Sequence, residues 1–363
     1  MRKIIVYAFC IASALMFSGC AKHVASGVND AEKRYFDAWM QINHPDAQPS
    51  GLGVYIIDEE KGDGIEVQDG GYALVDYTIT DLEGNISSYT EKITAKQLGE
   101  FDTTYFYGAR FQSTGKGTLA MGVFEALAGM KAGGYRRVVV PSWLMSSSIY
   151  ETEQEYLDNT TGGSSAIYDI HVRDFTKDMN GWQINRIGEY LADNQDIFAG
   201  MDAADSLASY EGFYYKCLTE PTDTSSFPSD TTIYINYTGK LLNGLVFDTT
   251  DEKTAKDNGL WSASKTYGPV QIKWGEEYYD ITMGSSGSST IEGFALTLWQ
   301  MRAFEKGIGV FISDYGYGSS GSGKSIPGYV PLVFEQQFLH LVNGILFELR
   351  LLSIVELLQH HSI

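Results

Sequence analysis

The spacing of apolar residues changes repeatedly along this chain, and each change predicts a different kind of structure. Arg2 and Lys3 precede an unbroken apolar run over residues 4–17, and Ser18-Gly19-Cys20 follows. Between residues 30 and 42 apolar side chains return at Tyr35, Trp39 and Ile42, close to helical spacing, so a short helix is expected. From Gly51 apolar and polar residues alternate between turns rich in Gly and Asn, which is the pattern of strands. Helical spacing reappears over 178–209 through Trp182, Ile187, Tyr190, Leu191 and Ile197, and strand alternation resumes at Gly212.

The strand-rich stretches repeat one another. Val75-Asp76-Tyr77-Thr78, running on to Gly84, is matched by Ile235-Asn236-Tyr237-Thr238, running on to Gly244. Gly122-Val123 with Leu127 and Met130 is matched in the same way by Gly293-Phe294 with Leu298 and Met301. A repeat of this length implies two related domains. They are expected at 51–176 and 212–338, joined by a helical linker over 177–211. Residues 20–50 precede them as a tether and short helix, and an apolar tail over 339–363 follows.

The second copy resembles an FKBP-type peptidyl-prolyl isomerase across about residues 212–334. The matching stretches are Ile235-Asn236-Tyr237-Thr238-Gly239, Gly244 with Phe247-Asp248-Thr249-Thr250, Ile291-Glu292-Gly293-Phe294, Ser313-Asp314-Tyr315-Gly316-Tyr317-Gly318, Ile326-Pro327 and Leu332-Val333-Phe334. The resemblance implies an α+β fold: two FKBP-like domains, each a curved antiparallel sheet wrapped around a short helix, the second helix falling at 293–301. It also implies a proline pocket lined by Tyr237, Phe247, Phe294 and Phe334. Ile291 would supply a backbone N–H and a wall, Ile326 would flank the entrance, and Tyr317 would donate its hydroxyl to a substrate carbonyl. Asp248 would orient the pocket, with Lys253 as its basic partner, and Tyr279 would be the aromatic of the long segment 251–284. Phe294 departs from the Trp usual at the pocket floor. In the first copy Tyr77 survives, but Ser87-Ser88 stand where Phe247-Asp248 do, Val123 takes the floor position and Ser146 the position of Tyr317. That copy reads as the same fold kept for binding or spacing.

Isomerisation needs no nucleophile, metal or cofactor. The six residues Tyr237, Phe247, Asp248, Phe294, Tyr317 and Phe334 must instead converge on one open cavity. A buried Phe294 would favour a lipoprotein that binds polypeptides or a partner without catalysis. Glycan capture by the 24 Tyr and 6 Trp is a weaker third reading, since aromatics packed into sheets account for them.

The N-terminus addresses the chain. A basic start, a short apolar core and small residues before a cut describe a secretory signal peptide over 1–19. The apolar run is shorter than the roughly 20 residues of a membrane-spanning helix. Phe17-Ser18-Gly19-Cys20 resembles the bacterial lipobox, which implies a lipid on Cys20 and an exported chain held on a membrane. Ala21-Lys22-His23, in place of an acidic run, favours the outer membrane with the protein facing the periplasm. Hydrophobic residues make up 44% and aromatics 13%, enough for packed cores. The formal charge is −20 and becomes two units more negative once Arg2 and Lys3 are lost, so nucleic acid is not an expected partner. Of three cysteines only Cys217, in a strand pattern, is left without an N-terminal role, so no internal disulfide is expected. The six histidines are scattered and suggest no metal site.

Two further features need a reading. Gly318 to Ser325 satisfies the P-loop pattern, yet Ile326-Pro327-Gly328 cannot start the helix that would hold phosphate, so nucleotide is not expected. This run and Gly284–Thr290 are read as mobile loops beside the pocket. The apolar stretch 339–358 fits either an amphipathic helix docked on the domain or on lipid, or an altered reading frame. The expected partners are therefore proline-containing polypeptides and, through the lipid, a membrane.

Overall fold

The computed structural model describes residues 27, 29–161, 163–221, 225–342 and 345–347. The signal segment, Cys20 and the tail beyond 347 lie outside the described residues.

Helix α1 (Asp30–Asn43) forms where helical spacing predicts it, but it turns a different face inward. Phe36 and Met40 are buried, whereas Tyr35 and Ile42 are 52% and 79% exposed. Two apolar stripes lie side by side on this helix, and packing selects the one aimed at Trp143, whose ring stands edge-on to Phe36 at 5.3 Å. Asn29 fixes the helix start by donating to the carbonyls of Leu157 and Thr160.

The first domain is a seven-stranded antiparallel sheet. Its strands are β1 (Pro49–Ser50), β2 (Val54–Glu60), β3 (Tyr72–Asp81), β4 (Ile86–Tyr89), β5 (Arg110–Ser113), β6 (Tyr135–Val140) and β7 (Ala166–Thr176). They lie in the order β1-β2-β6-β7-β3-β4, with β5 also paired to β3. Helices α2 (Lys92–Leu98), α3 (Met121–Leu127) and α4 (Glu153–Asn159) complete the domain. The run Val138-Val139-Val140 is fully buried, as suits a central strand.

Helix α5 (Met179–Asp193) follows, its first turn capped by Asp178, which accepts from the Gly181 N–H. Ile187 and Leu191 are fully buried on one side of the second sheet with Tyr214, Ile308, Val310 and Val333. Beyond Asp193 the linker continues as turns, not as helix.

The second sheet is nine-stranded. It comprises β8 (Phe213–Thr219), β9 (Thr232–Leu241), β10 (Val246–Thr249), β11 (Val270–Lys273), β12 (Thr282–Met283), β13 (Ser288–Ser289), β14 (Lys306–Phe311), β15 (Leu332–Val342) and β16 (Ile345–Phe347). Helix α6 (Glu252–Asp257) follows β10, and α7 (Glu292–Gln300) packs on β14. Gly309 permits that approach, since a Cβ there would lie 2.0 Å from Thr297 Oγ1.

The path β8-β14-β15-β9-β11 reproduces β2-β6-β7-β3-β5, so the repeat read in the sequence is also a repeat of topology. Small details recur with it. Thr90 N–H donates to Tyr77 O and Thr250 N–H to Tyr237 O, both at 3.0 Å, and each threonine hydroxyl accepts from the same tyrosine's N–H.

Two expectations about chain geometry are corrected. Gly284–Thr290 belongs to a tight hairpin of β12 and β13, turned by Gly284 and Gly287 at φ of 76° and 67°. Helix does not begin at Leu339: β15 runs on to Val342 and pairs with β16, because Phe338 and the residues around it continue the ladder with β9.

The domains touch beside the Gly318–Pro331 loop. Phe106 packs against the second core, its N–H donates to Lys324 O at 2.9 Å, and Tyr72 meets Tyr329 edge-on at 5.1 Å. A cavity of about 410 Å³ lies beside this contact, walled by Phe106, Phe111, Trp182, Leu241 and Pro331.

Candidate functional site

Strand β9 supplies Tyr237 and Gly239, and β10 supplies Phe247 and Asp248. Neighbouring residues of a strand normally face opposite ways. Here the register slips between Val246 and Asp248, leaving Phe247 as the extra residue of a bulge. The bulge turns Phe247 and Asp248 toward the same cluster. Phe247 stands edge-on to Phe334 of β15 at 5.5 Å, and Asp248 Oδ2 accepts from the Tyr237 hydroxyl at 2.6 Å. Gly239 makes the ring placement feasible, because a Cβ there would lie 2.6 Å from Phe247.

Phe294, in the first turn of α7, closes the cluster from below. It meets Tyr237 and Phe334 edge-on, each at 5.3 Å. Such rings favour edge-to-face contact because the positive rim of one meets the negative face of another. Phe294, Tyr237 and Phe334 are buried, while Phe247 and Tyr317 are half-buried. Ile291 precedes the helix, and its N–H finds no acceptor among the described residues. Ile326 is buried in the same core. Ser322 and Ile326 exchange backbone hydrogen bonds, so the P-loop-like run closes on itself as a tight turn with no helix after it.

The electrostatics centre on Asp248. Its carboxylate accepts from Tyr237, from Thr249 N–H at 2.9 Å and from Lys265 Nζ at 2.5 Å. Burial, then the charge and hydrogen bond of Asp248, raise the Tyr237 hydroxyl far above the usual tyrosine range. Burial and Asp248 raise Tyr317 as well. Both hydroxyls stay protonated at neutral pH and remain donors.

Two expected residues are not in this group. Lys253 pairs along its own helix with Asp257, and the basic partner of Asp248 is Lys265. An i,i+4 pair forms within one helix turn, whereas Lys253 would have to leave α6 to reach Asp248. Tyr279 is 69% exposed, with its ring against Tyr278. Tyr278 is the residue that packs on the core, donating to Glu292 at 2.9 Å. Sequence reading also missed Gln336, fully buried beneath the floor, whose side-chain N–H donates to the Phe294 carbonyl at 3.2 Å. Its place on β15, two residues after Phe334 and so on the same face, was the available signal. Among the described residues no group of three or more His, Cys, Asp or Glu side chains is arranged to hold a metal.

Residues 224–339 match the family described as FKBP-type peptidyl-prolyl cis-trans isomerase. The second domain is of the FKBP type. Similar proteins include the peptidyl-prolyl cis-trans isomerases FKBP9 of Homo sapiens and Bos taurus, each 26% identical over 247 residues. Those alignments cover 68% of this chain but 33% and 32% of the relatives, so the chain spans about a third of the length of the curated relatives it matches. Among solved structures, the three FKBP domains of wheat FKBP73 align at 15% identity and a TM-score of 0.28, covering 78% of this chain and 93% of that one. FkpA from Escherichia coli aligns at 16% identity and a TM-score of 0.28, covering 48% and 70%.

The first domain holds the corresponding positions in register. Ser88 pairs with Ile79 as Asp248 pairs with Gly239, and Tyr168 pairs with Ile79 as Phe334 pairs with Gly239. The bulge is kept at Ser87, without the Phe-Asp pair.

Proposed function

We propose that this chain is an exported, lipid-anchored peptidyl-prolyl isomerase that assists the folding of other exported proteins, with its chemistry confined to the second domain. The Tyr237–Asp248 hydrogen bond carries this reading: a bulge is used to hold a carboxylate beside an aromatic cluster. An X-Pro bond rotates slowly because rotation breaks amide resonance, with a barrier of roughly 18–20 kcal/mol. A dry aromatic wall and fixed dipoles favour the twisted amide over the planar one. Phe247, Phe294 and Phe334 would supply the wall and Asp248 the fixed charge. Tyr317 and the Ile291 N–H would supply donors for carbonyls on either side of the proline. The first domain, with Ser88 and Ser146 in place of Asp248 and Tyr317, would be without isomerase chemistry.

A lipid on Cys20 would make the first domain a spacer between the membrane and the pocket. Cys20→Ser should then move the protein from the membrane to the soluble fraction; an unchanged distribution would remove the anchor from the reading.

One observation favours the second reading, binding without turnover: Phe294 is only 3% exposed, so the floor is closed over in this state. Proline-limited refolding of a model protein separates the two. The isomerase reading expects acceleration by the full chain, and its loss in Asp248→Val with Tyr317→Phe. A wild-type rate equal to the buffer control would leave binding alone.

A further inference from the structure

The first domain contains a cavity of about 200 Å³ between its sheet and α3. Val75, Leu127, Tyr168 and Ile170 form its buried floor, while Tyr77, Ile79 and Val123 are half-buried at its mouth. We propose that this cavity is a binding site in its own right, which takes one apolar side chain of an extended polypeptide whose neighbouring residues are basic.

The cavity exists because of specific exchanges between the copies. Val123 stands where Phe294 fills the second domain, and the smaller side chain leaves a space that the surrounding strands have not collapsed to close. Apolar cavities of about 150 Å³ hold a benzene-sized guest, so this one has room for one leucine- or phenylalanine-sized side chain. No carboxylate or amine lines it. Its polar groups are the Gln112 side chain and two tyrosine hydroxyls. The Tyr77 hydroxyl finds no acceptor among the described residues, and the Tyr168 hydroxyl reaches only Met145 Sδ at 3.6 Å. Two under-used donors beside an apolar space suit a peptide carbonyl next to the inserted side chain, whereas a charged guest would be dehydrated there without a partner.

A second observation sets the sequence around that side chain. Tyr77 also borders an acidic cleft of about 410 Å³ lined by Glu60, Glu91, Asp169 and His171. Asp169 is engaged by the Tyr135 hydroxyl at 2.6 Å and lies 3.7 Å from Arg137. Glu60 and Glu91 have no cationic partner among the described residues. A basic residue beside the buried apolar one would meet these two carboxylates.

The test uses the full chain and a proline-free, N-acetylated and C-amidated peptide with one Phe between Lys residues. The methyl resonances of Val123, Leu127 and Ile170 should shift together and saturate. Val123→Phe should weaken binding at least tenfold while leaving isomerase activity at the wild-type level. Tyr77→Phe adds no bulk and should weaken binding several-fold even if Val123→Phe misfolds. Replacing the peptide's Lys by Glu should weaken binding by a similar or larger factor. Shifts confined to second-domain methyls, or affinity unchanged by Tyr77→Phe and by the Glu peptide, would overturn the proposal. Neither result depends on whether the second domain isomerises proline.

Discussion

Tyr237 and Asp248 are joined by a 2.6 Å hydrogen bond across two paired strands, and the bond exists because a bulge turns Asp248 toward the tyrosine. Tyr237→Phe removes the donor and keeps the ring against Phe294. A hydrogen bond to a charged group contributes roughly 1.5–3 kcal/mol, and the lower end applies because Asp248 retains contact with water. The second domain should melt a few degrees lower by calorimetry, and the refolding acceleration should fall more than the melting temperature alone explains.

Alkaline pH should unfold this protein early. Burial pushes Tyr168 up to about 12, and burial with a nearby carboxylate raises Tyr215 beside Glu305 and Tyr237 beside Asp248 well above the ordinary range. These tyrosines hold their protons in the folded state after the unfolded chain has begun to lose them near 10. Their contribution is complete below that pH and is lost as pH rises through the folded values. Melting temperature should therefore decline steadily above about pH 10. Tyr168→Phe should flatten the decline, and an equally steep curve in that variant would count against this assignment.

Arg136 is a structural keystone of the first domain. It is 6% exposed, pairs with Glu59 and donates to the carbonyls of Ala126 and Ala128 at the end of α3. Arg136→Ala leaves two carbonyls without their donor, while the partly exposed Glu59 carboxylate can turn to water, a loss of about 1–3 kcal/mol. Denaturant unfolding should show the first domain destabilised by about that amount, with the second transition unmoved.

Phe106 ties the first domain to the loop that carries Ile326. Phe106→Ala removes its packing on the second core and loosens its N–H bond to Lys324 O. Hydrogen exchange over 318–331 should speed up about tenfold, equivalent to ~1.4 kcal/mol of local opening. Exchange within β3 and β7 should not change.

Much of this architecture is legible in the sequence because alternation and repeats report on strands directly. Short motifs mark Tyr237, Asp248 and Phe294, and in the structure Tyr237 touches both of the others. What sequence hides is any choice between near-equivalent neighbours. Tyr278 and Tyr279 are adjacent aromatics, and only chain direction decides which packs. Phe36 and Tyr35 pose the same problem on α1. Lys265 was hidden by the long connection after α6, since nothing local marks which lysine returns to Asp248. The bulge at Phe247 leaves no compositional trace, yet without it Phe247 and Asp248 would point apart.

Gly239 and Phe247 on one side, Ile79 and Ser87 on the other, bear on how the two copies could have drifted apart. A side chain at position 239 would collide with the Phe247 ring, while in the first domain a branched side chain occupies that place and the bulge carries only a hydroxyl. The two positions are therefore coupled in each domain: the ring at 247 needs the glycine at 239, and the hydroxyl at 87 leaves room for Ile79. Giving the first domain an aromatic at 87 would thus call for Ile79→Gly beside Ser87→Phe, since either change alone leaves the pair mismatched.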